Sequence, residues 1–364
     1  MNKLLIIGEF PAPYRVEVFA DLAKHWSSKV YFEYQQDEKR TAEWLSRVSV
    51  DCNILDNPSA KKEFKQDIKN LKSYEAVILY NNCLKNAIIL ELFCKLKRVP
   101  YFINCDGCND IEESNPLKKA LKCFLMRGAA GYFAGGQSAV KYFEYYGANR
   151  ERIHLHNFTS LHQEDINKKL LSNAEKNCLK EMTGKFNVVT VGSHIECKGF
   201  DIVLKAAEKI GKSVDFYIIG GEPSVENKQY KEAHNLSSVH FVDFLGKDEL
   251  REYYNAADLF VLMTRGDTWG LVINEAMANG LPVITTKRCV AGVELIKDGE
   301  NGYIIDVDDT EALVNKVLML RDNEELCRQM SFANINKMQT NTIDQIAKDH
   351  IQVLESFFKK RSSK

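Results

Sequence analysis

The stretch RGDTWGLVINEAMANGLPVI, Arg265 to Ile284, follows the apolar run DLFVL at 258–262. Together they spell strand, loop, short helix, strand. Gly270 lets the backbone approach closely, and the helix starts near Leu271. Gly280 suits the left-handed residue that ends a helix, and Pro282 forbids continuation. A helix start leaves N–H groups without acceptors, so the amides from Trp269 through Gly270 and Leu271 to Val272 favour an anion such as phosphate. Yet two carboxylates, Asp267 and Glu275, flank that start. A carboxylate on the anion would repel it, so each must face a neutral part of a ligand. An ionised carboxylate accepts from two donors, which suits a vicinal diol. A ligand ordered sugar, diphosphate, ribose meets every demand. Taken singly, either acid also reads as a turn cap or a solvated helix residue.

A second loop, VVTVGSHIECKGFDIVLKAA at 188–207, ends a strand in Gly192 and resumes as a helix after Lys198 and Gly199. A glycine strand end with a lysine six residues on can hold a diphosphate through amides and a point charge. Lysines before helices are common, so its weight comes from its place at the first strand end of the second half.

Around these loops, short β-branched and aromatic runs alternate with amphipathic stretches along the whole chain. The first half offers strands near 3–7, 29–34, 76–80, 101–104, 131–134 and 153–156. Strands then stop between 158 and 185, a polar stretch that reads as a linker. They resume near 186–191, 214–219, 238–242, 258–262, 282–286 and 302–305. This is the signature of two parallel, helix-covered α/β sheets in tandem. The expected division is a first Rossmann-like domain over 1–160, a linker over 161–185 and a second domain over 186–340. A last helix over 341–364 is expected to pack back on the first domain. In open α/β sheets ligands bind beyond the carboxyl ends of strands, so two such domains facing each other would form a cleft.

With 364 residues, 45% apolar and 27% charged, the chain exceeds what one core usually supports. Its net charge of −1 argues against a general nucleic-acid binder. Ten scattered cysteines suit a reducing compartment. Cys105 and Cys108 have C-x-x-C spacing, but no second pair completes a zinc site, and no metal is expected. No run reaches the roughly 18 apolar residues of a membrane span, and the expectation is a cytoplasmic protein. Residues 1–184 carry 27 Lys and Arg against 23 Asp and Glu, concentrated at 59–74 and 115–130. In the latter, Leu117, Ala120, Leu121, Phe124 and Leu125 have helical spacing beside Lys118, Lys119, Lys122 and Arg127. Two readings stand: a basic helix resting on an anionic membrane surface at its inner face, or a helix packed on its own sheet with a solvated basic face.

Together these pieces resemble the retaining glycosyltransferases of the GT-B fold, glycosyltransferase family 4, of the type that builds bacterial surface polysaccharides. The family's E-x7-E element followed by EAMA-x-G-x-PVI is matched by D-TWGLVIN-EAMANGLPVI, with Asp267 at the first Glu position. GVELIKDGENGYIID at 292–306 and HNFTSLHQEDI at 156–166 also resemble it. The likeness covers most of 150–340 and is weaker before it. It implies α/β GT-B architecture, two Rossmann-like domains with parallel sheets facing across a cleft. It also implies metal-independent transfer of a hexosyl unit, with retention, from a nucleotide-sugar to an acceptor hydroxyl in capsular, exopolysaccharide or cell-envelope biosynthesis. A UDP-sugar is the expected donor, and a glycan or lipid-linked glycan the acceptor. Carried over, Glu275 would bind the ribose diol, Asp267 the sugar hydroxyls, and Lys198 with the amides of Gly270, Leu271 and Val272 the diphosphate. Gly192, Ser193 and Trp269 would complete the donor contacts, and Gly220, Gly221 and Phe244 would border the base. Arg15 and Asp106 are the acceptor-side candidates.

The departures are specific. Ser193 replaces the family's diphosphate arginine, with Arg15 or Arg288 as candidate substitutes, and GEFPAPYR replaces the glycine pair of the first loop. A catalytically silent partner subunit that binds a nucleotide-sugar or a second transferase is the alternative these changes support. A nucleotide-sugar epimerase would share the fold but not the EAMANGLPVI element.

Overall fold

In a computed structural model the described residues are 3–35, 52–81, 83–109, 111–172, 175–176, 182 and 185–363. They form two compact units, one of residues 1–160 with 341–364 and one of residues 161–340.

The first unit holds a parallel sheet of seven strands: β1 (Lys3–Gly8), β2 (Ser27–Phe32), β3 (Asn53–Ile54), β4 (Ala76–Tyr80), β5 (Tyr101–Cys105), β6 (Gly131–Ala134) and β7 (Ile153–Leu155). Their order is β3-β2-β1-β4-β5-β6-β7. Leu4 to Ile7 and Ala76 to Leu79 are fully buried, as continuous apolar runs must be when helices cover both faces. The two-residue β3 is too short to show as a pattern in the sequence. Helices α1 (Pro13–His25), α2 (Pro58–Lys69), α3 (Lys85–Lys97), α4 (Pro116–Met126) and α5 (Gln137–Tyr145) join the strands. Proline at the first turn starts α2 and α4, each behind an asparagine, Asn57 or Asn115, whose side chain accepts from the next amides.

α4 corrects one expectation. The helix is not packed by its apolar stripe with its lysines solvated. Leu117, Leu121 and Phe124 are exposed, while Leu125 and Met126 alone are buried. Lys119 turns inward to the Tyr145 hydroxyl at 2.6 Å.

The second unit holds a parallel sheet of β8 (Phe186–Val191), β9 (Val214–Ile219), β10 (Val239–Val242), β11 (Leu259–Leu262), β12 (Val283–Thr286) and β13 (Gly302–Ile305), ordered β10-β9-β8-β11-β12-β13. Its helices are α6 (Phe200–Ile210), α7 (Val225–Ala233), α8 (Lys247–Ala256), α9 (Leu271–Ala278), α10 (Val290–Leu295), α11 (Thr310–Arg321) and α12 (Glu324–Met338). Strand order reverses between β8 and β11, which pair through Leu259 with Val188 and Phe260 with Val189. That reversal is where such sheets leave a crevice for ligand.

The segment expected as a linker is not free where it is described. The amide of Asn167 donates to the Ala278 carbonyl at 2.9 Å, its side chain donates to Asn255 at 2.7 Å, and Asp165 meets Lys247 at 2.7 Å. Polar side chains made 161–185 look like tether, but these bonds dock its first part on the second unit. Residues 173–174, 177–181 and 183–184 of that expectation lie outside the described residues. The last helix, α13 (Ile343–Ser362), belongs to the first unit and buries Ile343, Ile346, Ala347, His350, Leu354 and Phe358 there.

Candidate active site

The β8 and β11 loops meet at the reversal of strand order in the second unit. After β8, Gly192 packs against Gly220, which follows β9. A side chain at Gly220 would collide with the Gly192 carbonyl. The chain then turns through Glu196–Lys198 to Gly199, whose φ of +67° sits in the left-handed region with the Met263 carbonyl against it. Only glycine fits there.

Arg265 ties this loop to the one after β11. Its amide donates to the Cys197 carbonyl at 2.7 Å. Its guanidinium donates to the Glu196 carbonyl at 2.6 Å, to both Asp201 oxygens at 3.0 and 2.9 Å, and to Asp308 at 2.8 Å. The arginine that opens the motif is therefore a staple. Its donors face protein, and the sequence offered no sign of the distant partners Asp201 and Asp308.

Fastened in this way, the loop presents Asp267. Its carboxylate accepts from Lys198 Nζ at 2.6 Å through Oδ2 and from the Trp269 amide at 3.3 Å through Oδ1. Its own amide donates to the Arg288 carbonyl at 3.0 Å. Side chains of Lys198 and Asp267 are 20% and 16% exposed, so the pair can be reached. Two residues foreseen on adjoining parts of one ligand, the sugar and the diphosphate, are thus in direct contact.

Gly270, at φ +98° and ψ 62°, caps α9, and a side chain there would press on Cys289 Sγ at 2.8 Å. Leu271 and Val272 form the first turn and are partly exposed, so their amides begin a helix at an accessible surface. Trp269 departs from the expected donor contact. Its indole is buried, Nε1 donates to Asn274 at 2.8 Å, and its amide is turned to Asp267. The side chain builds the turn from within.

One turn along α9, Glu275 is partly exposed, and its Oε2 accepts from the Tyr254 hydroxyl at 3.0 Å. Burial raises its pKa above the ordinary value, against the lowering effect of Tyr254 and Lys247. Tyr254, on α8, was not foreseen. It is an apolar-looking residue in a helical pattern, and only the packing of α8 on the sheet aims it at Glu275.

Gly220 and Gly221 have φ of +144° and +98°, and the Gly220 amide donates to the Val242 carbonyl at 3.1 Å, which seats this turn beside the end of β10. Phe244, two residues past β10, is 46% exposed. Ser193 is exposed, and beside it the His194 ring lies between Phe200 and Phe241, at 4.9 and 5.7 Å, rather than turned outward.

The remaining candidates belong to the first unit. Arg15 Nη2 donates to Asp106 Oδ2 at 2.6 Å, and Asn104 Nδ2 donates to Oδ1 at 2.7 Å. Both Asp106 oxygens are therefore engaged, and Arg15 is buried. Cys105 and Cys108, both partly buried, are not joined in a disulfide. Among the described residues no group of three or more His, Cys, Asp or Glu is placed to hold a metal ion.

Two α/β units, with glycine loops, a lysine and two carboxylates at the strand-order reversal of the second, define the GT-B class. The whole chain matches a solved structure of Anabaena Alr3699/HepE in complex with UDP, with a TM-score of 0.75 and 17% identity over 98% of this chain and 100% of the other. Residues 185–323 match the family described as Glycosyl transferases group 1. An uncharacterized glycosyltransferase of Haemophilus influenzae is 31% identical over 162 residues, 43% of this chain and 45% of the relative. The lipopolysaccharide core biosynthesis glycosyltransferase LpsE of Rhizobium meliloti is 30% identical over 131 residues, 36% of this chain and 38% of the relative. Each of these two sequence matches spans less than half of the relative's length.

Proposed function

We propose that this protein is a glycosyltransferase that moves a sugar from a UDP-sugar to a hydroxyl of a cell-envelope or surface-polysaccharide glycan, with retention at the anomeric carbon. The observation that carries the reading is the meeting of Lys198, Asp267 and the α9 N-terminus at the strand-order reversal. Glu275, held by Tyr254, accepts the ribose hydroxyls. The diphosphate lies on the amides of Gly270, Leu271 and Val272 and draws Lys198 off Asp267. Freed of its lysine, Asp267 accepts from the sugar hydroxyls. In the transfer the bond from the anomeric carbon to the diphosphate oxygen breaks. The acceptor oxygen takes that carbon and gives its proton to the departing diphosphate oxygen. Charge gathers on the departing diphosphate, where Lys198 and the fixed amides stabilise it electrostatically without the help of a metal ion. Gly192 and Ser193 are assigned to the diphosphate side, Gly220, Gly221 and Phe244 to the base, and Arg15 with Asp106 to the acceptor.

Support for the nucleotide comes from the UDP held by the Anabaena protein, and for the pathway from the lipopolysaccharide role in the name of the Rhizobium relative. Calorimetry with UDP and GDP on wild type and Glu275→Ala tests the donor site. UDP should bind wild type and weaken at least about tenfold in the variant, the loss of one charged hydrogen-bonding partner. Failure of either nucleotide to bind wild type at millimolar concentration defeats the assignment. Exposed Ser193, where the family places an arginine, favours a second reading of a silent partner subunit. UDP binding with neither hydrolysis nor transfer of a UDP-sugar would select it.

A further inference from the structure

The first unit holds a cavity of about 1460 Å³ that none of the residues assigned to donor or acceptor lines. It lies against the starting ends of β5 and β6, with the second half of α13 as one wall, whereas Asp106 follows the finishing end of β5. The floor is apolar. Val99, Phe102 and Phe133 are buried there, and Phe357 of α13 meets Phe102 edge-on at 5.2 Å. The rim is cationic. Lys95 comes from α3, Arg98 from the residue that ends it, Arg152 from the turn before β7, and Lys360 with Arg361 from the last turn of α13. These charges lack counter-ions. Lys95 donates to the Phe124 carbonyl, Arg152 to that of Ala129 at 3.2 Å, and Arg361 to that of Glu75 at 3.0 Å, with the Glu75 carboxylate 3.7 Å away. The side chains of Arg98 and Lys360 are exposed and pair with no acid among the described residues. Two carboxylates share the lining. Asp349 already accepts from Gln345 at 2.8 Å, and Glu151 is exposed. Glu91, one turn before Lys95, is buried and held toward its protonated form. Burial and the nearby Lys360 both hold the His154 imidazole below its ordinary pKa.

We propose that this cavity binds a small soluble organic phosphate carrying two or more negative charges, its body on the apolar floor and its phosphates among Arg98, Arg152 and Lys360. Cations gathered round one concavity without acids to pair them raise a positive potential there, which an anion relieves. A bare ion would leave the floor uncovered, and a neutral ligand would leave the rim uncompensated. The forks of Arg98 and Arg152 match the oxygens of a phosphate, and the volume leaves room for a body beside it. The bound molecule would join the end of α3, the start of β7 and the end of α13, and so would fasten α13 to the sheet it covers. The site rests on the first unit alone, so it stands or falls separately from nucleotide binding by the second.

Scanning and titration calorimetry of the full chain with fructose 1,6-bisphosphate and with tripolyphosphate tests this. At about 1 mM each should raise the unfolding temperature of the first unit by about 2 °C or more beyond sulfate of equal ionic strength. Combined Arg98→Ser and Lys360→Ser should weaken binding at least about tenfold, through the loss of two charged partners, and leave the response of the second unit to UDP unchanged. Lys360→Glu alone should weaken it severalfold and keeps the test decisive should the double variant melt early. Lys198→Ala, in the second unit, should leave the shift of the first unit intact. No shift beyond that of sulfate, or equal shifts in wild type and both rim variants, overturns the proposal. A shift that Lys198→Ala abolishes overturns it in favour of binding at the donor loops.

Discussion

The acid at 267 and the lysine at 198 are read in the sequence as two ligands of one molecule, and the structure makes them partners of each other at 2.6 Å. The pair has a consequence for binding order. In the proposed donor site a diphosphate would have to compete with Asp267 for Lys198, so the acid would lower nucleotide affinity. Asp267→Asn removes the charge and keeps the shape. Its affinity for UDP should match or exceed that of wild type, by up to about fivefold, given the ~1 kcal/mol typical of an accessible ion pair. Its transfer rate from a UDP-sugar should fall by about two orders of magnitude, because the sugar hydroxyls lose their acceptor. Calorimetry beside product assay separates the two effects, and a loss of UDP affinity would show that Asp267 holds the nucleotide itself. Turns of the candidate site were legible where a glycine marked them, as Gly270 does before α9. Tyr254 and Arg265 were not, since their roles depend on partners 21 residues away at Glu275 and 64 away at Asp201.

At the scale of elements, periodicity gives strands and helices but not which side of a helix faces in. β1, β4, β6, β8, β9 and β13 lie where their apolar runs lie, because a parallel strand covered on both faces is mainly apolar, with few polar residues such as Asn187, Thr190 and Asp215 among them. α4 defeats the same logic, since Tyr145 and Tyr146 supply an inward home for lysines that no periodicity reveals. α3 holds another exception. Glu91 is fully buried, neither carboxylate oxygen has a hydrogen-bond partner, and burial pushes its pKa up to about 8. The protonated form is the one the fold tolerates. Its contribution is complete below the ordinary carboxylate value, and it is lost as pH rises through the folded value near 8. The first unit of wild type should therefore lose on the order of 3 kcal/mol of stability between pH 5 and 8, at ~1.4 kcal/mol for each tenfold difference in proton affinity between the folded and unfolded chain. Glu91→Gln carries no such charge and should lose little at this site. Urea unfolding of both proteins at the two pH values measures the difference, and parallel losses would mean that Glu91 is hydrated in the folded state.

For the whole molecule the informative fact is that the first unit is built from both ends of the chain. The amphipathic pattern near 343–360 identifies a helix, but a pattern names a face and no partner. The structure supplies one. Phe358 meets Trp26 with ring centroids 5.8 Å apart, Phe357 meets Phe102 at 5.2 Å, and His350 stacks on Phe133 at 3.9 Å. Burial holds His350 neutral, its pKa well below the ordinary value, so the helix brings no charge into that contact. Each large apolar side chain buried this way contributes about 1.5–3 kcal/mol, so the helix together rivals the 5–15 kcal/mol that typically holds a domain folded. Deleting 341–364 should therefore unfold the first unit while sparing the second, whose β8–β13 sheet and helices lie wholly within 161–340. In calorimetry the full chain should show two unfolding components, of which UDP raises only the second unit's. The shortened chain should keep that UDP-responsive component and lose the other. Retention of both would mean that α13 rests on the first unit without holding it together, and loss of both would mean that the second unit cannot fold without the first.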